Sequence, residues 1–211
     1  MRTVTTLLAL ALAAASFGAQ AGVGATQVSS GPLTLVAGTT LVDFDSLIPA
    51  GISYSGGNIV SGSVSGVNAA PPGDLSNYLT VGPSTPATAT FGGAGASYFG
   101  FLLGSPDTYN SVTFTDSLGG VTTLTGSQLV TGTIPPINAD GNQGNQLYFS
   151  AWASAGTTFK SVTFSSTSYA METDNHSFIL AAVPEPETYA MMLAGLGLVG
   201  LAARRRAKKA T

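Results

Sequence analysis

Short runs in which apolar and polar residues alternate recur along the middle of the chain, and they restrict its fold more than any other feature. Leu41-Val42-Asp43-Phe44-Asp45, Ser111-Val112-Thr113-Phe114-Thr115 and Ser161-Val162-Thr163-Phe164-Ser165 carry the pattern most clearly. A period of two sends successive side chains to opposite faces of an extended segment, so each run reads as a half-buried β-strand. The stretches 59–64, 78–81, 87–91, 98–103, 121–125, 147–152 and 178–183 are further strand candidates. Gly56-Gly57, Pro71-Pro72-Gly73-Asp74, Gly104-Ser105-Pro106-Asp107, Gly119-Gly120 and Asp140-Gly141-Asn142 separate them as turns. Many short strands with no helical stretch between them predict an all-β fold, a two-sheet antiparallel, jelly-roll-like sandwich. Within it 112–115 and 121–125 read as a hairpin, and 134–146 as a long exposed loop. Ser-Val-Thr-Phe occurs at both Ser111 and Ser161, as expected of two central strands that meet the same core environment.

Charge narrows the partners. In residues 22–182 Lys160 is the only basic side chain, against Asp43, Asp45, Asp74, Asp107, Asp116, Asp140, Glu172 and Asp174. One lysine cannot neutralise a series of phosphates, which excludes nucleic acid as a partner. The chain has no cysteine, so disulfides and thiolate metal sites contribute nothing, and packing with sheet hydrogen bonds must hold the fold.

Catalytic equipment is sparse. His176 is the only histidine, and it reads as an exposed or hydrogen-bonded loop residue. No Gly-x-Ser-x-Gly elbow and no His-Glu-x-x-His pair occurs. A non-catalytic protein that needs no cofactor is expected. Two ligand chemistries remain open. Sugar binding would use aromatic faces beside polar groups, with Trp152 and Tyr109 as platforms and Asp107 and Asn110 as partners. Trp152 and Tyr148 are four apart and share one face of their strand, where Trp152 reads first as a core residue, as large aromatics are buried on average, and only second as a platform. A structural calcium ion would take carboxylates. Asp43 and Asp45 would point to one face of a strand, and Glu172 and Asp174 would reach it if the first and last strands were neighbours.

The two ends read as sorting segments. Arg2, the apolar stretch 7–15 and Ala19-Gln20-Ala21 have the order of a secretory signal peptide, with cleavage by signal peptidase after Ala21. At the other end Pro184-Glu185-Pro186 precedes an apolar stretch, 188–203, and then the basic cluster Arg204, Arg205, Arg206. As a helix that stretch would measure about 24 Å against a hydrocarbon core of about 30 Å, a marginal transmembrane span. The basic cluster would stay cytoplasmic and leave the rest outside the inner membrane. The expected organisation is a signal peptide at 1–21, a β-sandwich ectodomain at 22–182 and a tail at 183–211.

Motif, apolar helix and arginine cluster, in that order, resemble the PEP-CTERM sorting signal of exosortase substrates. The resemblance covers the tail. It implies recognition by an exosortase after transient anchoring in the inner membrane of a Gram-negative bacterium, and delivery to the cell surface or the exopolysaccharide matrix. A structural or adhesive role follows from it, with a carbohydrate-binding module as the alternative.

Overall fold

The computed structural model describes residues 22–30, 35–182 and 191–199. The chain divides into two compact units, Met1–Ala181 and Ala182–Thr211. The first is mostly β. Its strands are β1 (Val23–Ser29), β2 (Thr40–Val42), β3 (Ile52–Gly56), β4 (Asn58–Ser61), β5 (Asn77–Val81) and β6 (Ala87–Phe91). They continue with β7 (Ala96–Gly104), β8 (Asn110–Asp116), β9 (Val121–Thr125), β10 (Gln146–Ala153), β11 (Phe159–Ser166) and β12 (Met171–Leu180). A single helical turn, α1 (Gly126–Leu129), follows β9, closed by a capping box in which Thr125 and Gln128 satisfy each other's backbone N–H.

All the strand pairs are antiparallel. One run of strands is β3-β6-β11-β8-β9 and the other is β1-β10-β7-β12. β12 divides its free edge, pairing β5 through Met171–Thr173 and β2 through His176–Phe178. The expectation of two separate sheets needs correction. Ala96 of β7 pairs with Phe159 of β11, so the runs join in one twelve-stranded sheet, nearly closed like a barrel. The cause is local. β11 bulges between Phe159 and Ser161, and the added twist lets the edge that pairs β6 through Ser161–Phe164 pass to β7 at Phe159, while Phe159 stays opposite Asp116 of β8.

Alternation decides what fills the interior. Phe99, Phe101 and Leu103 of β7 and Leu147, Phe149 and Ala151 of β10 point inward. They meet Val162 and Phe164 of β11 and Val112 and Phe114 of β8. The Phe101 ring stands edge-on to Phe164 at 5.1 Å and lies 5.4 Å from Phe149. Each such buried ring contributes about 2–3 kcal/mol through the apolar surface it removes from water. The repeated Ser-Val-Thr-Phe now has its explanation: β8 and β11 are neighbours, with Val112 opposite Phe164 and Phe114 opposite Val162. The expected hairpin is β8-β9, closed by Asp116, whose Oδ1 accepts the N–H groups of Leu118 and Gly120.

Two expected features differ. The run 41–45 is not one strand: β2 ends at Val42, Phe44 has φ +56°, and Asp43 Oδ1 accepts the N–H groups of Asp45 and Ser46. Asp43 and Asp45 therefore sit in a turn, an arrangement that an aspartate side chain stabilises by imitating the backbone. In the second unit residues 191–199 are helical, within the apolar stretch of the tail. Among the described residues no helix is long and apolar enough to cross a membrane, so the expected transmembrane helix is not supported. The expected signal peptide with Ala19 and Ala21, and the motif residues Pro184, Glu185, Pro186, Arg204, Arg205 and Arg206, lie outside the described residues.

Candidate functional site

The local event that shapes the site is a bulge in β12. Asp174 pairs with Leu102 and Ser177 with Gly100, so Asn175 and His176 together oppose Phe101. Asn175 takes the conformation the bulge needs, φ +49°. The extra residue exchanges the faces of the strand: Met171 and Thr173 point inward before it, His176 and Phe178 after it. Glu172 and Asp174 therefore point outward with Ser177.

His176 is not a loop residue. It is fully buried on β12, with Phe164 stacked on it at 4.9 Å and Phe44, Phe99 and Phe101 presented edge-on. Its Nδ1 hydrogen-bonds the Tyr54 hydroxyl at 2.8 Å and its Nε2 the Thr173 hydroxyl at 3.0 Å. Burial alone pushes its pKa from 6.5 down to about 3. A neutral imidazole with both nitrogens engaged and no path to solvent is a core group, unsuited to proton transfer with a substrate.

The outward face is covered at one end by the segment 63–76. Pro71 lies on Gly104, where an added Cβ would stand 3.0 Å from the Pro71 Cα, so that close passage favours glycine. On either side of this crossing lies a cleft. The first, about 440 Å³, is lined by residues 63–69 together with Ser105, Asp107, Tyr109, Tyr169 and Glu172. Glu172 is 2% exposed; its Oε1 accepts the Ala69 N–H at 2.9 Å and its Oε2 the Ser105 hydroxyl at 3.2 Å. Burial raises its pKa, partly offset by those two bonds. Tyr109 donates to the Tyr169 carbonyl at 3.0 Å, and the Tyr169 ring is 60% exposed at the cleft wall. Burial and then Asp107 raise the Tyr109 pKa.

The second cleft, about 530 Å³, lies beside the bulge and is lined by Asp43, Asp45, Asp74, Gln146, Asp174 and Asn175 with Leu102 and residues 72–76. Each carboxylate already has at least one oxygen engaged, and Asp43 has both, its Oδ2 accepting the Ser46 hydroxyl at 3.3 Å. Asp45 Oδ1 accepts from the Asn77 backbone and side-chain amides, Asp74 Oδ1 from the Ser76 N–H and hydroxyl, and Asp174 Oδ2 from Asn175 Nδ2. Asp74 Oδ2, Asp174 Oδ1 and Gln146 Oε1 are buried acceptors with no partner. Asp174 is 2% exposed. Burial, then the charges of Asp74, Asp45 and Asp43, push its pKa up to about 7.

The sequence-derived residues thus separate into groups. Asp107 and Tyr109 share the first cleft, but Asn110 is buried with Oδ1 accepting from the Ser166 hydroxyl. Trp152 is elsewhere, half-buried on the outward face of β10 with its ring 5.1 Å from Tyr98. Of the four acids considered for calcium, Asp43, Asp45 and Asp174 share the second cleft and Glu172 lines the first. Asp74 and Gln146 were missed. Asp74 lies in a Pro-Pro-Gly-Asp turn that reads as punctuation, and Gln146 at a strand start carries no pattern at all.

The class of protein is defined by a β-rich unit followed by a separate tail unit. A family model for the PEP-CTERM protein-sorting motif matches residues 182–206, so the tail is a PEP-CTERM sorting motif. The motif implies an exosortase as the processing partner and is consistent with export and surface localisation. No curated protein and no solved structure matches the chain.

Proposed function

We propose that the protein is a non-catalytic component of the bacterial cell surface or its exopolysaccharide matrix, structural or adhesive in role, delivered by signal peptidase and exosortase processing. The observation that carries this reading is the PEP-CTERM motif at 182–206, which begins where the compact β unit ends at Ala181. The tail helix holds the chain at the inner membrane of a Gram-negative cell until an exosortase acts near Pro184-Glu185-Pro186. The lack of catalysis is supported by the enclosed neutral His176 and by Glu172, both of whose oxygens are engaged.

The test is intact mass and fractionation of the protein from its native host, with and without the exosortase. A mature chain starting near Gly22, lacking the segment beyond about Pro186 and found at the surface or in the medium is expected. A tail kept in both strains, with the protein in the membrane fraction, would refute sorting.

A carbohydrate-binding role is the second reading, favoured by the exposed Tyr169 ring beside Tyr109 and Asp107 in the first cleft. It predicts that Tyr169→Ala reduces retention of the released protein on the host polysaccharide at least tenfold, as expected when a stacking ring is removed. Unchanged retention would exclude that cleft.

A further inference from the structure

We propose that the second cleft is a calcium site, formed by the carboxylates of Asp174, Asp74, Asp43 and Asp45 with the side-chain oxygen of Gln146. The inference does not depend on how the protein is sorted. Three buried oxygens there have no hydrogen-bond partner, namely Asp174 Oδ1, Asp74 Oδ2 and Gln146 Oε1. A buried acceptor left empty costs about 1–3 kcal/mol, and more where it carries charge. Three on one cleft are therefore unusual unless something fills them. Asp174 is the decisive group, 2% exposed and lining the cleft with its free oxygen.

Charge points the same way. Four carboxylates line the cleft and no lysine or arginine does. Lys160, the sole basic residue of 22–182, donates instead to the Gly93 carbonyl at 2.9 Å. The local bonds resemble the outer support of a metal site: Ser76, Asn77 and Asn175 each hold one carboxylate oxygen and the Asp43 turn holds both of its own, which orients the carboxylates.

The donor set selects the ion. Every side-chain donor is an oxygen, with neither imidazole nor thiolate, which suits a hard cation. The donors come from three turns or strand ends and a bulge, an irregular set that calcium accepts with six to eight oxygens and magnesium, which requires an octahedron, does not. As they stand, no three or more histidine, cysteine or acidic side chains among the described residues are placed to hold a metal ion. The bound state would draw the carboxylates inward and add amide oxygens and water. A cation there would tie together segments distant in sequence, around residues 43–45, 74, 146 and 174.

The full-length chain, purified in mild detergent and stripped with EGTA, would be titrated with calcium and separately with magnesium by calorimetry and thermal melting. The expected result is one calcium site with Kd of about 0.1–1 mM, in the range of extracellular modules. Ten millimolar calcium should raise Tm by about 5 °C, and magnesium at the same concentration by much less. Asp174→Asn and Asp74→Asn should each weaken binding at least tenfold. Because Asp174→Asn also removes a buried charge from an acidic cleft, its Tm in EGTA should equal or exceed that of the wild type, so it remains a folded test. Glu172→Gln, in the other cleft, should bind calcium as the wild type does. No calcium binding below 10 mM, or binding unchanged in both aspartate variants, would overturn the assignment.

Discussion

Acidification from pH 7 to pH 5 should leave His176 uncharged in the folded protein, and the consequence can be calculated. The imidazole contacts the Tyr54 and Thr173 hydroxyls and the rings of Phe44, Phe99, Phe101 and Phe164, none of them charged. Its folded pKa is depressed to about 3 from 6.5. Between those values the unfolded chain binds a proton that the folded chain refuses. Stability therefore rises with pH across this window, is complete above 6.5, and is lost as pH falls. Between pH 7 and pH 5 the loss is about 2 kcal/mol, and it hardly changes if the folded value is one unit higher.

Asp174 and Glu172 have the opposite sign. Their raised pKa values make the folded state the better proton acceptor, so their contribution falls as pH rises through the folded pKa. The raw profile will be flattened. The difference between the wild type and His176→Phe isolates the imidazole. Urea unfolding of both proteins in EGTA at pH 5, 6 and 7 should show the wild type losing about 2 kcal/mol relative to the variant. His176 is the chain's only histidine, so its ring signals in NMR are unambiguous, and they should not titrate from pH 7.5 to pH 5. An inflection near pH 6.5 would refute the argument whether or not the variant folds.

Two core predictions follow from the same geometry. Phe101→Ala removes the ring that contacts Phe149 and Phe164 and should cost about 3–5 kcal/mol in urea unfolding; less than 1 kcal/mol would mean that the rings do not pack as described. Gly100→Val should lower Tm by about 5 °C, because an added Cβ meets the Tyr98 hydroxyl and lies 2.9 Å from Tyr148 Cε1 and its hydroxyl. An unchanged Tm would show that the two tyrosines can withdraw from the glycine.

Strands with a buried face and an outward polar face were legible in the sequence. β6 and β9 match their predicted bounds, and β8 and β11 were recognised by a shared pattern that proved to be a shared core. β1 and β3 were not legible, because Val23-Gly24-Ala25 and Ser53-Tyr54-Ser55-Gly56 are too weakly apolar to show a period. The first half of β12 was hidden for another reason. Met171, Glu172, Thr173 and Asp174 are all buried, since segment 63–76 covers the outward face, and a strand buried on both faces loses its alternation. The run 41–45 alternates well and is nevertheless a turn. A positive φ at Phe44 leaves no mark in a pattern of apolar and polar residues.

The bulge at Asn175 ties these points together. Asp174 and His176 are two apart, and in a regular strand they would share a face. Either the carboxylate would enter the aromatic interior without a counter-charge, or the imidazole would stand on the outward face. Both are resolved by one extra residue on β12 between Leu102 and Gly100 of β7. It gives the core a neutral, doubly hydrogen-bonded imidazole and gives the cleft a carboxylate with one oxygen unfilled. Acidic cleft and aromatic core are thus set by the same irregularity. A strand-wise reading of the sequence, which assumes a constant period, assigns one side or the other to the wrong environment.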